Sequence, residues 1–129
     1  MADQQTYEDE VCSPETEKLD MAAKPGGETF CGVAAAVAVL GDAWTLLLVR
    51  DLADGARRFT ALQTSTGISP RVLTDRLHKM MGEGLVTRRL FAEIPPRVEY
   101  ELTPKGHAAV SVVNALRAYG EQWLRRLQG

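Results

Sequence analysis

The side chains able to do chemistry in this 129-residue chain are few. They are two cysteines (Cys12, Cys31), two histidines (His78, His107), and 15 lysines and arginines against 17 carboxylates. The cysteines and histidines lie too far apart for the usual spacings of a four-ligand zinc site. No Ser/His/Asp set, HExxH, paired carboxylates or phosphate-cradling glycine loop is present, so the residues argue against catalysis and against a bound cofactor. The charges are more informative. Formal net charge is −2, but residues 1–30 hold eight acids and two bases, and residues 31–129 hold nine acids and 13 bases. A mildly basic body follows an acidic arm. Distribution, more than the total, decides whether a chain attracts a polyanion.

The arm shows neither helical nor strand periodicity and closes on Lys24-Pro25-Gly26-Gly27, a breaker cluster. Low hydrophobicity with high charge cannot offset the entropy of ordering, so residues 1–29 read as an acidic disordered tail. An arm that competes with DNA for the basic face is the alternative role. The longest apolar run, Val33 to Leu40, has eight residues, against about 20 needed to cross a bilayer. No basic segment leads into an apolar stretch at the N-terminus. These features predict a cytoplasmic protein with no membrane partner, in which free thiols are the default.

From Cys31 onward helix signals dominate. An Ala-rich apolar segment ends at Gly41, and a helix over Ala43 to Leu52 follows, with Trp44, Leu47 and Leu48 as its expected apolar stripe. Thr60 to about Ser65 reads as a short helix and Thr66-Gly67 as a tight connection. Ser69-Pro70 announces the next helix, serine as N-cap and proline at the first helical position. Over Pro70 to Met81 the helical wheel places Leu73, Leu77, Met80 and Met81 inward, with Arg71, Val72, Asp75, Arg76 and Lys79 outward. Two short helices joined by a turn, the second basic outside, form a helix-turn-helix pattern.

Leu85 to Phe91 and Val98 to Leu102 read as strands, the second alternating with period 2. The loop between them, Ala92 to Pro96, is stiff and projects beyond the pair. Thr103-Pro104 repeats the cap-plus-proline device and opens a last helix to about Leu127. Its apolar positions Val113, Leu116, Tyr119, Trp123 and Leu127 form a stripe long enough to imply a covering partner chain. The expected fold class is α+β, mainly helical: a winged helix-turn-helix domain over residues 30–129 with a two-stranded wing and a long C-terminal dimerisation helix.

Several separated motifs carry a resemblance. Cys31-Gly32-Val33, Gly41 to Leu47, Arg57-Arg58-Phe59, Gly67 to Leu77, Gly84-Leu85-Val86, Pro95 to Thr103 and Gly106 stand in order. Together they resemble the HxlR-type winged helix-turn-helix transcriptional regulators, relatives of the MarR group, over about residues 31–125. The resemblance implies a homodimer on double-stranded DNA, with a strand between the second and third helices. It also implies a dimer interface built from the first and last helices, here Val33, Val37, Leu116, Tyr119, Trp123 and Leu127. The family has a proline after the first-helix cysteine, where this chain has Gly32.

The helix opening at Ser69 is expected in the major groove, N-terminal residues nearest the base edges. Arg71 suits a bidentate contact to guanine, Asp75 could accept from cytosine, and Val72 could touch a thymine methyl. Ser69 and Thr74 suit phosphates; Arg76 could bond the DNA backbone or Asp75, and Asp75 with Lys79 could equally be a solvated i,i+4 pair. Arg57 and Arg58 suit phosphate contacts, and Arg97, at the wing tip, suits a narrow minor groove. Of Arg88 and Arg89, one should face outward.

Cys31 opens a helix, whose dipole favours a thiolate; a small buried apolar residue is the other reading. By the resemblance, Cys31 could act as a sensor through an intersubunit disulfide or an adduct, making an oxidant or small molecule the effector. Cys12 could then serve as resolving thiol. Against a regulator stands one competing function, a winged-helix protein-interaction module without DNA binding.

Overall fold

A computed structural model describes residues 30–125. The tail over residues 1–29, Cys12 and Leu127 lie outside the described residues. The chain divides into two compact units between Asp42 and Ala43.

The first unit contributes α1 (Gly32–Leu40). Cys31 is its N-cap in extended conformation, and Gly41 ends it. Every α1 residue is apolar or glycine, yet only Ala34 is buried, with Val33 69% and Val37 60% exposed. A helix apolar all round is ordinarily a buried one, so this exposure is unusual for its composition.

The second unit opens with α2 (Ala43–Leu52), β1 (Arg57–Arg58) and α3 (Phe59–Thr66). The helix α4 (Pro70–Gly82) follows, then the hairpin β2 (Val86–Phe91) and β3 (Arg97–Leu102). It ends with α5 (Pro104–Ala108) and α6 (Val110–Trp123). The strands form one antiparallel sheet in the order β1-β3-β2. The strand implied between the second and third helices is therefore β1, paired Arg57 to Tyr100 and Arg58 to Glu99.

The core of this unit is aliphatic: Leu48, Leu52, Leu62, Ile68, Leu73, Leu77 and Met80 are almost wholly removed from water. Each such side chain contributes about 1.5–3 kcal/mol relative to exposure. In α4 the inward set is Leu73, Leu77 and Met80, with Met81 half-buried. In α2 the stripe is shifted from its expected phase. Thr45, Leu48, Val49 and Leu52 are buried, while Trp44 and Leu47 are half-buried. The i, i+3, i+4, i+7 series starts at Thr45, so Trp44 falls at its margin in the first turn.

The expected single last helix is broken. Ala109 (φ −75, ψ −11) closes α5 and opens α6, and α6 ends at Trp123 rather than near Leu127. Val113 is buried, so it leaves the exposed stripe, and Val112 takes its place at 40% exposure. Val112, Leu116, Tyr119 and Trp123, at i, i+4, i+7 and i+11, fall in one narrow arc at about 100° per residue. Leu116, Tyr119 and Trp123 are 49%, 60% and 56% exposed.

A corner of backbone and side-chain bonds fixes the hairpin against the rest of the unit. Thr103 Oγ1 accepts from Gly106 N at 3.0 Å and donates to Gly84 O. Lys105 Nζ donates to Glu83 O at 2.7 Å. Gly106 is buried so closely on Leu85 that an added Cβ would collide with the Leu85 carbonyl and crowd Leu102. Gly106→Ala is therefore expected to destabilise the domain by about 1–3 kcal/mol, read as a lower urea midpoint with unchanged slope.

Candidate nucleic-acid interface

The turn of the helix-turn-helix is fixed by side chains as well as backbone. Thr66 Oγ1 donates to Leu62 O at 2.7 Å and accepts from Ile68 N at 3.2 Å. Gly67, at φ 76 and ψ 8, ends α3 with its N–H on Gln63 O at 2.8 Å; this left-handed conformation costs glycine nothing. Ile68 is buried and anchors the turn to the core. The Thr66 bonds were not read from the sequence. Their signal is a Thr-Gly pair at a helix end, where a hydroxyl can satisfy the last turn.

Ser69 caps α4 as expected, its Oγ accepting from Val72 N at 3.3 Å behind Pro70. The hydroxyl proton stays available for a phosphate oxygen. Arg71 and Thr74 are exposed and Val72 is half-buried. Asp75 is engaged: Arg76 Nη1 donates to its Oδ2 at 2.6 Å, and Lys79 Nζ lies 3.8 Å from the same atom. Exposed pairs of this kind contribute about 0–1 kcal/mol, so they set a resting geometry that a stronger ligand can displace.

Arg57 and Arg58 are exposed on β1, Arg57 Nε donating to Asp51 O at 3.0 Å. Beside Tyr100 on the other side stands Arg88 of β2, also exposed. Among the described residues, Arg57, Arg58, Arg71 and Arg88 make no ion pair with a carboxylate. Arg89 differs from Arg88, since it lies 3.2 Å from Glu101. Strand alternation predicted that one of the two would face out; both are exposed, Arg88 on the face it shares with Tyr100 and Arg89 on the face of Glu99 and Glu101.

Arg97 is placed differently from the expectation of a free minor-groove cation. Its Nη1 donates to Glu93 Oε2 at 2.6 Å, and its Nε lies 3.0 Å from Glu99 Oε2, at ion-pair distance without hydrogen-bond alignment. The guanidinium carbon stands 4.1 Å from the Phe91 ring centroid, and that of Arg89 5.4 Å from it. Arg97 therefore ties the two ends of the wing loop together, Glu93 to Arg97, and stacks on the ring.

Cys31 is half-exposed and disulfide-bonded, in contrast to the free thiol expected by default. The chain's one other cysteine is Cys12. His78 and His107 are exposed, and no group of three or more metal-ligating side chains occurs among the described residues. No single helix among them is long and apolar enough to cross a membrane.

Residues 39–128 match the HxlR-like helix-turn-helix family. The chain belongs to that family. An HTH-type transcriptional regulator of Synechocystis sp., itself uncharacterised, is 35% identical over 116 residues, covering 88% of this chain and 86% of the relative. Among solved structures, the redox regulator HypR in its oxidised form aligns with a TM-score of 0.67 at 31% identity, covering 71% of this chain and 96% of that one. A protein from Porphyromonas gingivalis W83 described as of the MarR family aligns with a TM-score of 0.70 at 32% identity, covering 73% and 93%. This HxlR-family chain is thus a helix-turn-helix transcriptional regulator with a winged-helix fold, and its relatives are regulators rather than enzymes.

Proposed function

We propose that this chain is a cytoplasmic, homodimeric regulator that reads an inverted repeat in double-stranded DNA and responds to thiol oxidation through Cys31. The observation that carries DNA recognition is the set of exposed guanidiniums on the helix-turn-helix and wing, Arg57, Arg58, Arg71 and Arg88, which have no carboxylate partner among the described residues. A guanidinium with no carboxylate partner is available to phosphate or a base edge. Arg71, one residue past Pro70, reads bases from the N-terminal turn of α4, with Val72 and Thr74 beside it. Ser69, Arg57, Arg58 and Arg88 hold phosphates, which adds affinity without sequence choice. Asp75 and Arg76 enter only by exchanging their mutual pair for DNA, and Arg97 acts by shaping the wing.

The exposed stripe of α6, and separately the exposed Val33 and Val37 of α1, support self-association as their cover. In a two-fold dimer the recognition helices would reach half-sites about 34 Å apart. Cys31 supports the oxidant response by its disulfide and by the likeness to HypR, which is described as a redox regulator. Two thiols lose two protons and two electrons as the S–S bond forms, and a peroxide-class oxidant accepts them and leaves as water. Cys12 is the proposed resolving thiol.

The test is a titration of duplex DNA at several salt concentrations, with reduced and oxidised protein. Binding is expected to weaken steeply with salt, by roughly 0.9 in log–log slope per phosphate engaged, and to differ between the two redox forms. Cys31→Ser should remove the redox difference and leave the salt slope. Salt-insensitive or absent binding contradicts DNA recognition; equal binding of both forms contradicts the sensor role alone.

A further inference from the structure

The regulator reading leaves the apex of the wing unused, and its chemistry is unexpected for a surface that meets a polyanion. The loop from Ala92 to Pro96 is exposed throughout. At its centre Ile94 is 101% exposed, more than any other large hydrophobic residue among those described. Pro95 and Pro96 follow directly, and proline fixes one backbone angle at each. The Glu93–Arg97 bond of 2.6 Å spans the base of the loop, and Arg97 stacks on Phe91. The apex is therefore stiffened from both sides and apolar at its tip, with the nearest cation already matched by Glu93 and Glu99.

Behind the apex the composition changes. Leu90, 65% exposed, pairs with Val98, and Arg88 stands two residues nearer the body on the same face of the sheet as Leu90. An apolar point ahead of a cation with no carboxylate partner among the described residues matches the way proteins wedge duplex DNA. An isoleucine, leucine or proline inserts at a base step from the minor groove, while basic side chains hold the flanking phosphates. The hairpin itself is neutral, with Arg88, Arg89 and Arg97 against Glu93, Glu99 and Glu101; the arginines without a carboxylate partner among the described residues, Arg88 on β2 and Arg57 and Arg58 on β1, favour DNA over an apolar protein partner at the tip.

We propose that Ile94 is an apolar wedge that enters the minor groove beside the major-groove site and partly unstacks one base step per half-site. This deepens the DNA-recognition reading and rests on it. It also moves the minor-groove contact from Arg97 to the residue that Arg97 helps to support.

The full chain is tested against the duplex that the wild type selects, with 2-aminopurine placed singly at each adenine outside the major-groove contact. Wild type should brighten the probe severalfold at one step per half-site. Ile94→Ala should abolish that signal and weaken binding about tenfold. Ile94→Lys should lose the signal as well, although it adds a cation. Because Ile94 is fully exposed, neither variant disturbs packing. Unchanged affinity and fluorescence in Ile94→Ala overturns the wedge, as does Ile94→Lys binding more tightly with the signal intact. A changed oligomeric state in Ile94→Ala, seen by sedimentation, overturns it in favour of a contact between copies. If wild type binds no duplex, the DNA-recognition reading fails and the wedge with it, an outcome distinct from the others.

Discussion

Replacing Tyr119 and Trp123 together by aspartate is expected to convert the protein to a monomer and to weaken binding to a two-half-site duplex by about 100-fold or more. Both side chains stand on the outer arc of α6 at 60% and 56% exposure, so neither carries the core of its own unit. Two linked half-site contacts reinforce one another through effective concentration, and that gain disappears when the subunits separate. Two carboxylates at the centre of a self-complementary apolar patch would face their own copies across a two-fold axis, which combines desolvation with repulsion. Sedimentation reads the mass, and helical circular dichroism checks that the monomer stays folded. The milder Leu116→Ser covers the case in which the isolated monomer unfolds, because it should raise the dimer dissociation constant without abolishing the dimer. A stable dimer in the double variant places the interface elsewhere.

The second large effect is expected at Arg71. Arg71→Ala should cost about 1–3 kcal/mol on the selected site, concentrated at one base-pair position per half-site. The reason is local. Ser69 and Pro70 fix the first turn of α4, Leu73 and Leu77 hold its inner face, and Arg71 projects outward without an ion-pair partner among the described residues. Arg71→Lys should restore little of the preference, since an ammonium cannot reproduce a bidentate fork on guanine. Competition assays against duplexes changed at each position read the effect directly. Equal loss on every sequence would make Arg71 a phosphate contact instead.

Much of this architecture was legible because proline, glycine and hydroxyl residues mark its corners. Ser69-Pro70 and Thr103-Pro104 each open a helix where cap chemistry placed them, and the alternation from Arg97 to Leu102 fixed the second wing strand. Local signals were weaker where tertiary packing decides. The phase of α2 depends on which face meets the core, so Thr45 displaced Trp44. The split at Ala109 has no breaker residue to announce it, and it turned Val113 inward and Val112 outward.

At the site the same division holds. The identities of the candidate bases and hydroxyls were readable from type and position, but their availability was not. A sequence shows that Asp75, Arg76, Glu93, Arg97 and Glu99 are charged. It does not show that Asp75 joins Arg76, or that Arg97 is held between Glu93 and Glu99. Pairing across a hairpin depends on register, and register also separates Arg88 from Arg89.

The most direct measurement for the central claim is selection of fragmented genomic DNA by the purified full-length protein, reduced and oxidised in parallel, followed by sequencing. The account predicts enrichment of one inverted repeat with half-sites about one helical turn apart (~34 Å), with different occupancy in the two redox states. Fragments recovered in proportion to the input, with no shared repeat, would contradict sequence-specific recognition and leave the winged helix as a protein-interaction module.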